Sequence, residues 1–346
     1  MRIARVLVLL ALLGFVTPGV AHEDSGTPAG AASGPALSAV PCVNGDAAGF
    51  PCSNVDLRAY LPLTDLSTSQ LNDVWGWTDP LTGIDYALVG TYTGVAFVSL
   101  ADPDQPVVIG HLPSPSIFAS AWGDIRVHAD HAFMVKESIN HGLQVFDLTR
   151  LRSVTSPPVT FTEDTRVSGF SNAHNVATNP ASGLGLVVGS NTCSGGLRMF
   201  DLTSPLSPSF LGCYSGDGYT HDVQCVFYTG PDADHLGSEI CFASNEDTLT
   251  IVDVTNRSAP VQLARVGYAG VGYVHQGWLT PNQRYFIQGD ELDEQDNGVN
   301  TRAYVWDVAD LDAPALVGFH EAGIPAIDHN LYVIGNHVFQ ANYRGG

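Results

Sequence analysis

Lysine is almost missing from this chain. Of 346 residues only Lys136 is a lysine, and the remaining positive charge is carried by arginine. That leaves little room for chemistry built on a lysine nucleophile. Acidic residues number 35, and the formal charge of −21 repels nucleic acid and anionic lipid surfaces. Glutamate is scarce beside aspartate, and Glu, Lys, Ala and Leu are not enriched together, which argues against a helical bundle or coiled coil. No two cysteines have CxxC spacing, which excludes a zinc ribbon or a thioredoxin-type motif. GxSxG, P-loop, HExxH and GxGxxG patterns are all absent. What remains is rich in turn formers, with 36 Gly and 21 Pro, and is 45% hydrophobic, enough for a sizeable core. The length fits one large or two ordinary domains.

The first segment reads as an export signal. Arg2 and Arg5 precede the apolar run Val6 to Phe15, and Pro18-Gly19-Val20-Ala21 offers small residues before His22. The run is too short to span a bilayer, although a retained anchor is the competing reading, and no later run is long enough either. Removal of residues 1–21 takes the charge from −21 to −23, because only Arg2 and Arg5 are lost. Residues 22–40 read as a flexible leader. An N-terminal His22 could chelate copper through its own amine, but no partner histidine is identified for it. Six cysteines, Cys42, Cys52, Cys193, Cys213, Cys225 and Cys241, imply three disulfides in an exported chain. Cys225 and Cys241 fall on consecutive strands joined by a turn, and Cys42 and Cys52 close a small loop. Cys193 and Cys213 remain as the third pair.

The body of the chain repeats. An alternating apolar stretch ends in Asp, an aliphatic residue, and Thr or Ala. It occurs as Leu143-Gln-Val-Phe-Asp147-Leu-Thr149, Leu197-Arg-Met-Phe-Asp201-Leu-Thr203, Leu249-Thr-Ile-Val-Asp253-Val-Thr255 and Ala303-Tyr-Val-Trp-Asp307-Val-Ala309. An earlier copy, Val95-Ala-Phe-Val-Ser99-Leu-Ala101, has Ser in the Asp place, and the spacings are 48, 54, 52 and 54. After each copy comes a short strand opened by Pro106, Pro158, Pro208, Pro260 or Pro314. Two more apolar strands precede each copy, as at 223–228 and 239–243. Units of four short strands predict the blades of an all-β propeller, with a β-sandwich as the competitor.

These motifs also resemble a known family. Leu249-Thr-Ile-Val-Asp253-Val-Thr255 is similar to the repeat of the LVIVD-repeat proteins. Asn72-Asp-Val-Trp-Gly-Trp-Thr78, Gly189-Ser-Asn-Thr-Cys-Ser-Gly-Gly196, Tyr219-Thr-His-Asp222, Ser244-Asn-Glu-Asp-Thr248, His275-Gln-Gly-Trp278 and Asp328-His-Asn-Leu331 resemble the choice-of-anchor B family. The resemblance covers about residues 40–346. It implies an exported bacterial β-propeller whose relatives end in differing surface anchors, and it carries no enzymatic activity over. The sixth unit stops at Gly346 after two strands, so residues 41–346 are expected to be a C-terminally truncated propeller of six or seven blades. Alternatively, residues 53–71 close the ring by pairing with 338–341.

Aligning the blades at the start of their first strands gives a column of Asn72, Gly123, His174, His221, His275 and His329. The next column is Asp73, Asp124, Asn175, Asp222, Gln276 and Asn330. Second strands return to the same rim and end in polar residues: Glu137, Asn191, Glu246, Asp290, Glu291 and Asn342. His174, His221, His275 and His329 with Asp222, Glu246, Asp290 and Glu291 are therefore candidate metal ligands at the channel mouth. Imidazoles suit a transition metal, and the carboxylates alone suit calcium. The competing reading makes each His a fastener within its own blade, as in WD-repeat propellers. A metal site requires at least two of these rings to bring nitrogens within about 5 Å of one another, or of Glu246, Asp290 or Glu291.

The loop Asp290–Gly298 holds five acidic residues. It partly resembles a calcium loop, but Tyr304 stands where a Glu is required, so a solvated acidic turn is expected. Trp75, Trp77, Trp122 and Trp278 are expected in blade packing, or as a ring that binds sugar or peptide. Taken together the sequence reads as a binding or interaction module facing an extracellular protein, peptide or glycan. The rival is a metal-dependent extracellular hydrolase or oxidoreductase, with Glu137, Glu246 or Glu291 as candidate general base.

Overall fold

The computed structural model describes residues 35–343. The export signal and most of the leader lie outside the described residues. Six successive sheets make a β-propeller. Blade 1 comprises Leu71–Thr78, Asp85–Thr91, Gly94–Ser99 and Val107–Pro113. Blade 2 comprises Gly123–His128, His131–Lys136, Leu143–Asp147 and Thr165–Val167, and blade 3 Asn175–Asn179, Leu184–Val188, Leu197–Asp201 and Ser209–Tyr214. Blade 4 follows with Asp222–Phe227, Glu239–Ser244, Leu249–Asp253 and Val261–Val266, and blade 5 with Val274–Leu279, Tyr285–Asp290, Arg302–Asp307 and Ala315–Glu321. Blade 6 has two described strands, Asp328–Ile334 and His337–Asn342.

The repeated Asp has a local cause. It ends the third strand and folds its carboxylate back on the amide two residues on, a side-chain turn that stops the ladder. Asp147 Oδ1 accepts from Thr149 N at 2.9 Å, Asp201 from Thr203 at 2.8 Å, Asp253 from Thr255 at 2.8 Å and Asp307 from Ala309 at 3.0 Å. Ser99 does the same more weakly for Ala101 at 3.3 Å. The aliphatic residue inside each turn then points inward: Leu148, Leu202, Val254 and Val308 are all buried.

Core forms between blades rather than within one slab, which is why a sandwich does not result. Leu88 and Phe97 of blade 1 pack with Met134 and Phe146 of blade 2. Phe133 and Val145 of blade 2 meet Val187 and Phe200 of blade 3. Phe242 and Ile251 of blade 4 face Phe286 and Trp306 of blade 5. Each buried Phe stabilises the stack by roughly 1.5–3 kcal/mol.

The second column of the first strands links neighbouring blades. Asp73 accepts from Ile125 N at 2.9 Å, Asp124 from Val176 N at 3.0 Å, and Gln276 from Leu331 N at 2.9 Å. Asn175 donates to the His221 carbonyl at 2.9 Å. Across the ring, Tyr332 of blade 6 lies 5.7 Å from Trp75 of blade 1 and 5.0 Å from Trp278 of blade 5, centroid to centroid. Trp75 and Trp278 thus pack on Tyr332, and Trp77 is buried between blades with its Nε1 bonded to Asp130, so these three serve packing.

Two details differ from expectation. The strand after Pro158 does not complete blade 2. Val159–Thr160 pairs in parallel with Gly110 and His111 on the outer strand of blade 1, and Thr165–Val167 takes its place. Phe161 explains the shift, since it packs against Phe97 and Phe146 at the blade 1–2 interface. Residues 53–71 do not pair with 338–341; Leu57 and Tyr60 bond instead to Val40 and Leu37. The disulfides join Cys42 to Cys52, Cys193 to Cys213 and Cys225 to Cys241, with Cα separations of 5.9, 5.6 and 4.0 Å. Cys225 and Cys241 are direct cross-strand neighbours.

Candidate metal centre at the channel mouth

The first strands start, and the second strands end, on one rim. There the four histidines of blades 3 to 6 stand in a row. Ring centroids lie 4.2 Å apart for His174 and His221, 4.0 Å for His221 and His275, and 4.5 Å for His275 and His329. The row bends, so that His174 also acts on His329 and Glu291 at its far end.

Hydrogen bonds orient the first two rings. His221 Nδ1 lies 2.8 Å from the His275 carbonyl oxygen. A carbonyl only accepts, so Nδ1 carries the proton and the neutral ring leaves Nε2 bare. His174 Nδ1 lies 2.6 Å from Glu137 Oε1. Carboxylates pair with metal-ligating imidazoles in this way, fixing tautomer and direction. Burial first, and neighbouring imidazoles second, hold His221 and His275 well below the usual histidine range and bring His329 down to about 4. Three neutral rings at pH 7 are in the form that ligates metal.

Glu291 closes the end of the row. Its oxygens lie 3.6 Å from His275 Nε2 and 3.9 Å from His329 Nε2. Burial pushes its carboxyl up to about 7, against the pull of the Tyr343 hydroxyl. Ligand atoms of His275, Glu291 and His329 all fall within 4.8 Å of one another. Ligands around a tetrahedral metal stand about 3.3–3.6 Å apart, given bonds of 2.0–2.2 Å, so a modest contraction would complete a site. His275 Nδ1 is buried with no partner, and a metal on Nε2 would leave it so.

The structure does not bring every candidate to this trio. Asp222 is buried in the channel, where its Oδ1 accepts from Val223 N at 2.6 Å, and burial raises it to about 6. Asp290 is consumed by the Tyr268 hydroxyl and the amides of Gly272 and Tyr273, which tie down the loop before blade 5. Glu246 borders the row through Tyr273, whose hydroxyl donates to it at 3.2 Å and whose ring lies 5.4 Å from His221. Tyr273 was not among the sequence candidates, because a tyrosine ahead of a strand carries no ligand signal.

The acidic loop is not a solvated turn. Asp293 and Glu294 open the short helix Asp293–Asn297 and are buried. Asp328 of blade 6 joins them, also fully buried, with ligand atoms of the three within 4.8 Å of one another. Tyr304, in the place of the missing Glu, donates to Asp293 Oδ2 at 2.5 Å. Burial raises the carboxyls of Asp293 to about 6 and Glu294 to about 8. A third trio, Asp232, His235 and Asp312, is occupied by bonds of its own, Leu311 N to Asp232 at 2.8 Å and His235 to Asp312 at 3.1 Å.

No family model matches the chain, and no curated protein does. Solved structures resemble it at low identity. A candidate 6-phosphogluconolactonase from Bacteroides uniformis is 14% identical, with TM-score 0.55, covering 84% of this chain and 80% of its own. A protein from Lactobacillus plantarum is 14% identical with TM-score 0.50, over 72% of this chain and 71% of its own. A weaker likeness is to the β-propeller domain of Cps50 (Swd1) from Myceliophteria thermophila, 12% identical with TM-score 0.48, over 75% and 76%. At these identities the first two likenesses speak to the fold alone.

Proposed function

We propose that this chain is an exported β-propeller of the LVIVD-repeat, choice-of-anchor B kind, that it acts as a binding module, and that its channel mouth holds a divalent transition metal. The single observation behind the metal is the trio of His275, His329 and Glu291, drawn from adjacent blades, with ligand atoms within 4.8 Å of one another. Export is supported by the signal-like segment and by three disulfides, which persist in oxidising compartments. Among the described residues no helix is long and apolar enough to cross a membrane. The partner would be an extracellular protein, peptide or glycan that meets the rim.

A second reading follows from ligand number. Three protein ligands leave one coordination position open, as in catalytic zinc sites. There a bound metal would supply an activated water, and Glu246, beside Tyr273, is the carboxylate that would accept a proton. Glu137 is less suited, because it is spent on His174.

Metal analysis tests the proposal. Protein purified without chelator should hold, or take up from micromolar zinc, about one equivalent per chain. His275→Ala and His329→Ala should each abolish uptake. His221→Ala, which loses a bond to a neighbouring blade, should lower stability by about 1–3 kcal/mol and weaken uptake less. Wild-type protein that binds no zinc, or binding that survives both of the first two substitutions, sinks the metal reading.

A further inference from the structure

Beside the histidine row lies a cluster of a different kind. Asp293 and Glu294 follow the second strand of blade 5, and Asp328 opens the first strand of blade 6. Relative exposure is 0% for Asp293, 9% for Glu294 and 0% for Asp328. Asp293 Oδ1, both Glu294 oxygens and Asp328 Oδ1 are buried with no donor in bonding geometry. Native interiors rarely leave even one such atom unmatched, and four in one spot call for a missing partner.

Looser contacts come from within the cluster, where Glu294 faces the Asp328 amide and the Asp293 carboxyl; among the described residues the donors close by reach other atoms. Tyr304 satisfies only Asp293 Oδ2, and Gln340 Nε2 reaches only Asp328 Oδ2, at 3.4 Å. The guanidinium of Arg302 is bonded to Glu321 at 3.0 and 3.1 Å. Asp290, already satisfied, adds a further negative charge next to the cluster. Gly289 makes room: a Cβ there would stand 2.2 Å from Asp328 Oδ2.

We propose that Asp293, Glu294 and Asp328 bind a calcium ion that staples blade 5 to blade 6, independently of the histidine row. An all-oxygen, all-carboxylate set selects a hard cation. Calcium bonds of about 2.3–2.6 Å put ligands on opposite sides of the ion about 4.6–5.2 Å apart. These oxygens, all within 4.8 Å of one another, fall inside that reach. Magnesium demands shorter bonds, near-ideal octahedral geometry and retained waters, which a fully buried cluster resists.

The test is calorimetric titration of calcium into the full chain after exchange into chelator-free buffer, with thermal melting alongside. One calcium per chain is expected, with Kd in the range of about 10⁻⁶ to 10⁻³ M, together with a calcium-dependent rise in Tm. Glu294→Gln and Asp328→Asn should each weaken binding by about tenfold or more while melting no lower than the wild type without calcium. Two independent substitutions guard against one failing to fold. His275→Ala should leave calcium binding intact. Absence of calcium binding by the wild type overturns the proposal. So does binding that survives Glu294→Gln and Asp328→Asn, or magnesium binding of equal strength.

Discussion

Adjacent positions on the same strands serve opposite ends. Asp73, Asp124, Asn175 and Gln276 each spend one polar atom on the neighbouring blade. The residues one step before three later members of that column, His221, His275 and His329, stand on the rim. There His275 Nδ1 goes unpaired, and Glu291 brings its carboxylate to 3.6 and 3.9 Å from the Nε2 atoms of His275 and His329. Both columns are polar, buried or half-buried, and repeat with the blades. They differ in what they meet: the second column reaches across to the next blade, although Asp222 Oδ2, Gln276 Nε2 and Asn330 Oδ1 are left over, whereas the rim rings meet one another and Glu291. A polar atom bonded to the scaffold holds the ring together; one without a partner is available to something that arrives later.

The largest effect that would test this contrast is expected at Asp124. Its carboxylate receives Val176 N and lies 2.5 Å from Arg126 Nη1, a guanidinium buried in the channel over the Trp75 ring at 4.3 Å. Asp124→Ala removes the link to blade 3 and strips the nearest partner from a buried charge, with Asp73 left 3.8 Å away. A loss of about 3–5 kcal/mol is expected in chemical denaturation. His275→Ala should cost far less in the metal-free protein. Equal losses would erase the distinction between clasp and rim.

A smaller effect concerns pH in the metal-free protein, where the two neighbouring clusters pull in opposite directions. His221, His275 and His329 have folded values below 6.5, so their contribution is present above 6.5 and is lost as pH falls below it. Glu291 and Glu294 are raised from 4.5 to about 7 and about 8, so their contribution is present below 4.5 and is lost as pH rises through those values. Between 6.5 and 8 the carboxyls dominate, and the melting temperature should fall as pH rises. Calcium should remove the Glu294 share of that fall, and Glu294→Gln should make it shallower. A metal-free melting temperature that is level or rising across this window would mean the carboxyls are not held as the geometry implies.

Much of this architecture was legible because it is local. Asp147, Asp201, Asp253 and Asp307 each close a turn within two residues, so the repeat announces the end of every third strand. Cys225 and Cys241 flank one hairpin, and their pairing follows from it. The histidine row was legible as a column because blade symmetry places equivalent residues on one rim. What stayed hidden depends on distant partners. Asp293 and Glu294 look like a solvated run until Asp328 arrives from the next blade. Asp222 and Asp290 have the same residue type as a ligand, but the fold puts Asp222 in the channel with one oxygen on Val223 N, and the Tyr268 hydroxyl and the amides of Gly272 and Tyr273 use up Asp290. Val159 belongs to blade 1 because of where Phe161 packs, and no spacing rule reports that.

The smallest expected effect isolates the local signal from the ring. Asp201 accepts both the amide and the hydroxyl of Thr203, at 2.8 and 2.7 Å, and these bonds hold its carboxyl below the usual range. The residue lies near the surface, so water can replace much of what is lost, and Leu202 keeps its buried place in the core. Asp201→Ala should therefore cost only about 0.5–1.5 kcal/mol in the same denaturation experiment, several times less than Asp124→Ala. Ser99 already stands in the equivalent place of blade 1 with a longer bond of 3.3 Å, and that blade still forms all four of its strands. Asp201→Ser should accordingly recover part of the loss. If Asp201→Ala proves as damaging as Asp124→Ala, the turns and not the links between blades set the stability of this propeller.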